Sequence, residues 1–372
     1  METPVREILV KKDKSLLDNY VSRLEGDQNF SLVSLVDELA PYLVMEANLR
    51  YGNFHQIKMN LFLRRMANAG LLSRETQLRL ARLILMEGMN REWIEIQGGF
   101  LRGGEEPEDP LARMLEALGA KNIHNAYFYA CQAYREEPVE LAQGLLWLST
   151  ASIPDTLGHS FSCFLPVIAD LVLPGHPAAP ASLFSYLLYL GRFPVPGDLP
   201  TPVKSAMLDL NSLLQTCASG DGIVNLHHMI TLYLFLQWEL TSFNRGRGLP
   251  FKILEEWVSE KTLDQDRLER LEKAELPEPP NSFEEFAQKF NLEDLENTVN
   301  LVISVLESGV PATDWLFQVF SRYYRPDNWN PHYFTGLYCA LGFYKNMEIE
   351  SLARRMAVAQ AVEYFGEIKD KN

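Results

Sequence analysis

The sequence predicts an all-α protein, and three observations carry that reading. Apolar residues recur at three- and four-residue steps, capping residues precede those runs, and alternating strand patterns are absent. The segment 73–90 opens the series of clear helices, with Ser73 as its N-cap. The runs "FSCFLPVIADLVL" (161–173) and "MITLYLFLQW" (229–238) are too short to span a bilayer and read as buried helices. In 291–309, Leu292, Leu295, Val299, Val302, Ile303 and Leu306 form one stripe, and Gly309 supplies a left-handed stop. The segment 347–366 repeats the design through Ile349, Leu352, Ala353, Met356, Ala357 and Ala361. About seventeen helices are expected in all, with essentially no sheet. The one Asp-Gly pair, in "SGDGIV" (219–224), is flanked by helical patterns rather than by strands.

Breakers separate these helices. Gly- and Pro-rich loops are expected at 98–110, 174–182 and 192–202, and a turn at "RGRGLP" (245–250). "KAELPEPPNS" (273–282) is an acidic, proline-rich linker, after which Ser282 and Glu285 make a capping box. The chain then divides into 1–244, a charged connection at 245–282, and 283–372, or forms one continuous domain.

Bulk properties exclude several functions. The 372 residues are 47% hydrophobic and 22% charged, an ordinary balance for a soluble chain, with a net charge of −15. Such a charge repels nucleic acid and anionic membranes, and no basic patch offsets it; Lys11, Lys12 and Lys14 are interrupted by Asp13. The N-terminus carries early acid and proline and no apolar core, so no signal peptide is expected, and a cytoplasmic location follows. Cys131, Cys163, Cys217 and Cys339 are far apart, which fits small buried side chains in a reducing compartment.

Histidine usage is the unusual feature. Four of the seven histidines, His55, His124, His227 and His332, have asparagine two residues earlier. Asparagine is a favoured N-cap, so these histidines are expected in first helical turns. His55, His124, His159, His228 and His332 are separated by 69, 35, 69 and 104 residues, close to multiples of about 35, the length of a helical hairpin repeat. His227 fits within one residue of His228; His176 is out of phase and sits in a loop. "HSFS" (159–162), "HMIT" (228–231) and "HYFT" (332–335) place a hydroxyl three residues after histidine, on the same helical face. Stacked repeats would bring these imidazoles to one cavity, held neutral by helix N-termini. The plainer reading is that each histidine bonds a neighbouring loop carbonyl.

No metal ligand set is assigned. Glu-x-x-His, the pair that helical metal bundles use, does not occur. Asp155, four residues before His159, reads as an N-cap after Pro154, and Glu46 and Glu239 read as solvated or paired. Nucleotide-binding glycine loops and a nucleophile elbow are absent. The six tryptophans are scattered and read as packing residues.

The stretches 155–172, 227–238 and 332–344 resemble the helix-initial histidine-hydroxyl segments of questin oxidase-like proteins. That resemblance covers about 45 residues. It implies a large all-helical fold with an internal histidine-lined cavity, in a family some of whose members are linked to oxidative cleavage of aromatic polyketide rings. No nicotinamide fingerprint accompanies it. The expectation is a small-molecule-binding protein, with oxidoreductase as the enzyme class the resemblance implies. His159, His228 and His332 are the candidate catalytic residues, and His55, His124, Ser162, Thr231 and Thr335 the candidate ligand-binding residues. No cofactor is assigned. The alternative is a helical-repeat scaffold that binds another protein.

Overall fold

Short polar side chains start the helices. Asp13, Asp109, Asn122, Asp209, Asp264, Ser282 and Asp294 each accept a backbone N–H from the turn that follows. Ser73 does the same, with its Oγ accepting the amide of Thr76, and Glu285 reaches back to the amide of Asn281 beside the Ser282 cap. Gly309 ends its helix region with φ +77°, as the left-handed stop requires.

The computed structural model describes residues 4–43, 54–90, 100–101, 107–195, 209–220, 222–239, 249–325 and 330–368. Nineteen α-helices and no strand occur among them. The first five are α1 (Pro4–Lys11), α2 (Lys14–Gly26), α3 (Leu32–Leu43), α4 (His55–Asn68) and α5 (Arg74–Asn90). They are followed by α6 (Pro110–Gly119), α7 (Ile123–Glu136), α8 (Pro138–Ala151), α9 (His159–Val167), α10 (Ala179–Leu190), α11 (Leu210–Cys217) and α12 (Ile223–Glu239). The chain ends with α13 (Leu249–Val258), α14 (Gln265–Lys273), α15 (Phe283–Lys289), α16 (Leu295–Glu307), α17 (Ala312–Tyr323), α18 (His332–Lys345) and α19 (Ser351–Gly366). The stretch 245–282, expected as a connection, therefore holds two helices. Glu46 and the turn at 245–248 lie outside the described residues. No helix among the described residues is long and apolar enough to cross a membrane.

Four helices form a closed ring in the core. α4 packs on α9 and α18, and α12 packs on the same two. Their relative direction follows from the pairing. Side chains of α4 meet those of α9 and of the turn that continues it at sequence separations of 104, 104 and 105, at His55–His159, Lys58–Ser162 and Arg65–Asp170. A constant difference along two helices means that they run parallel; antiparallel helices keep the sum constant instead. α12 and α18 behave alike, through His227–His332 and Tyr233–Tyr338. So do α4 and α18, through His55–His332 and Phe62–Tyr338. All four helices thus point the same way, and their N-terminal ends lie together.

The ring is tightly packed below those ends. Phe62 stacks on Tyr338 at 4.4 Å, and Phe161 lies against Phe235 at 3.9 Å. A Cβ on Gly342 would strike the ring of Tyr233, so only glycine lets α18 approach α12 there. Beyond α9 the helix widens into a π turn at 168–172. Pro166, which lacks an N–H and crowds the carbonyl four residues back, accounts for the loss of regular winding. All four cysteines are buried, as small apolar side chains are expected to be.

Candidate metal centre

His55, His159 and His332 are the first residues of α4, α9 and α18, and His227 lies in the second turn of α12. Each of the four ring helices therefore contributes one imidazole to the same end of the ring. The Nε2 atoms lie 2.6 Å apart for His55–His159, 3.0 Å for His159–His227 and 2.9 Å for His227–His332. The ring centroids make a near-square. Its edges are 4.5, 4.4, 4.6 and 4.5 Å, and the His159–His332 diagonal is 6.1 Å. His159, His227 and His332 are buried and His55 half-buried.

The outer ring nitrogens show why the inner ones converge as acceptors. His159 Nδ1 donates to the carbonyl of Thr156 at 2.6 Å, so its Nε2 carries a lone pair when the ring is neutral. His332 Nδ1 meets Asn330 Oδ1 at 2.6 Å. That atom is an oxygen, because it also accepts the backbone N–H of His332 while Asn330 Nδ2 donates to Tyr364. His332 Nε2 is therefore a lone pair as well. Both lone pairs face His227 Nε2, which lies 3.0 and 2.9 Å from them.

Protons are poorly suited to hold this square together. Burial, then the Lys58 charge, pushes the pKa of His159 down to about 3, against the opposing Thr156 carbonyl. Burial, followed by His159, His332 and Lys58, holds His227 well below the usual imidazole range. Burial, followed by His55, Lys58 and His159, does the same to His332. The four helix N-termini add to the positive field. Imidazole nitrogens 2.6–3.0 Å apart leave a common centre about 2 Å from each, the bond length of a transition metal to imidazole. The four residues fit one metal ion. No carboxylate joins the group among the described residues.

The structure brings together three of the sequence candidates, His55, His159 and His332, and pairs them with His227 rather than His228. His228 lies one residue on, facing another side of α12 against Trp257. His124 stands exposed at the start of α7, outside the group. Ser162 accepts from Lys58 Nζ at 3.2 Å, Thr335 Oγ1 donates weakly to the His332 carbonyl at 3.4 Å, and Thr231 lies beside Gly158. The expected asparagine caps differ in detail. Asn122 does cap α7, but Asn330 orients the His332 ring, Asn225 lies inside α12, and Asn53 is outside the described residues. Nor does Asp155 cap α9: it is exposed in a 3-10 turn, and left-handed Gly158 precedes His159.

Lys58 was not singled out from sequence. It is fully buried beside the square, three residues after His55 on α4. The signal was there in "HQIKMNLFL" (55–63), where a lysine interrupts a continuous buried run. No family model, curated protein or solved structure matches this chain.

Proposed function

We propose that His55, His159, His227 and His332 bind one redox-active first-row metal ion, iron or copper, and that the protein is an oxidoreductase acting on a small molecule. The observation that carries this reading is the convergence of four imidazoles, at least two of them fixed as Nε2 acceptors by their outer hydrogen bonds. A structural zinc site is tetrahedral and closed. An all-imidazole set without thiolate would suit copper, nickel or iron. When bound, iron or copper would supply one-electron chemistry. The chain's own residues hold the base rigid through Thr156 and Asn330 and exclude bulk water by packing. With a dication, Lys58 and four helix N-termini at one place, an anion would be expected to accompany the metal. The resemblance to questin oxidase-like segments points to the same class of chemistry.

Elemental analysis of the purified chain tests this directly. The expected result is close to one iron or copper per chain, abolished in His227→Ala and His332→Ala while helicity persists. A chain that takes up neither metal, before or after incubation with each ion under reducing conditions, would refute the proposal.

A further inference from the structure

α12 carries a second polar pair immediately beside the square. His228 and Thr231, three residues apart, share one helical face. His228 is 1% exposed and neither ring nitrogen has a hydrogen-bond partner; the Thr231 hydroxyl is fully buried and also unpartnered. Buried polar groups normally find partners, and leaving one unmet costs about 1–3 kcal/mol. The surroundings show what kind of partner is missing. Trp257 of α13 covers the imidazole edge-on, with centroids 4.0 Å apart and planes at 87°. Gly158, which precedes the ligand His159, has φ +77°, and any Cβ there would collide with Thr231 Oγ1 and crowd the indole of Trp257. Lys261 contacts Asn225 Oδ1, one turn before His228 on α12. Lys261 has no carboxylate partner among the described residues, and burial lowers its pKa, as expected of an ammonium without a counter-charge. A neutral imidazole offers one donor and one acceptor, and both ring nitrogens of His228 are unmet. One cation, one imidazole, one hydroxyl and one flat indole meet here, and no carboxylate pairs with Lys261 among the described residues.

We propose that His228, Thr231 and Lys261 bind the oxygens of a small planar carboxylic acid, with Trp257 covering its body. The subsite shares a wall with the histidine square, since His228 follows His227 and Gly158 precedes His159. It deepens the metal reading by naming a substrate class, and only its catalytic relevance rests on that reading. The anion site itself stands on its own residues.

Benzoate is the probe, with benzamide as its uncharged counterpart. Calorimetric titration is carried out on the full chain as purified and again after chelation. Benzoate is expected to bind at one site in both forms and more tightly than benzamide. Lys261→Met should weaken benzoate at least about tenfold, a change of roughly 1.4 kcal/mol, without changing benzamide binding or metal content. His228→Ala combined with Thr231→Val should weaken both probes. Lys261 is half-buried, so its variant keeps the test sound if the α12 variant misfolds. Equal affinity for the two probes, benzoate binding indifferent to Lys261, or binding that disappears with the metal would each overturn the subsite. Loss of metal uptake with benzoate binding intact would instead refute the metal centre alone.

Discussion

Acid should unfold the metal-free chain unusually early, and the reason lies in the histidine square. His159 has a folded pKa of about 3 against an ordinary value of 6.5, and His227 and His332 are also held well below that value. Above about pH 6.5 these rings are neutral in both states and the full stability is present. Below it, the unfolded chain takes up protons that the folded chain refuses, so stability falls as pH drops toward the folded pKa values. His159 alone costs about 1.4 kcal/mol per pH unit in that window, roughly 2 kcal/mol by pH 5, and His227 and His332 act in the same direction. Urea unfolding of the chelator-treated chain at several pH values measures this slope. Replacing His159 by Gln should reduce it by one histidine's share, about 1.4 kcal/mol per unit. A midpoint that stays flat from about pH 7 to pH 5 would show that these rings are already protonated or solvated, and the reasoning would fail.

Three further outcomes are expected. Asn330→Ala removes the acceptor that orients His332 and should weaken metal affinity about 10- to 100-fold in a chelator competition, with little change in helicity. Gly158→Ala forces a side chain into a left-handed backbone and against Thr231, and should cost about 2–4 kcal/mol by urea titration; a loss below about 0.5 kcal/mol would mean that the loop before α9 yields freely. His124→Ala, at an exposed helix start, should leave stability within about 0.5 kcal/mol and metal content unchanged.

The helical fold was legible because its causes are local. Periodicity in 291–309 and the caps at Ser73, Asn122 and Ser282 act within one or two turns, and the structure places helices and caps there. The site was legible only in part. Repeat arithmetic could not choose between His227 and His228, yet one residue on a helix turns a side chain by about 100° and sends the two rings to different sites. The Asn-x-His pattern included His124 because it reports helix starts, and a helix start serves capping as readily as ligation. The missing Glu-x-x-His argued against a metal, but that test looks for two ligands on one helix. Here each helix gives a single imidazole, so no short motif exists to be found. Lys58 escaped because a lone lysine in a helix ordinarily reaches solvent, and only the ring of neighbours prevents it.

The parallel alignment of the four ring helices has a consequence for biosynthesis. The imidazoles enter the chain at positions 55, 159, 227 and 332, so the last corner is translated only after the other three. Until then the growing polypeptide presents an incomplete claw of three arms, each on a helix whose neighbours are not all made. The proposed metal centre would therefore assemble only once α18 has been made, and a molecule cut short before it would be a poor chelator however well its earlier helices had formed.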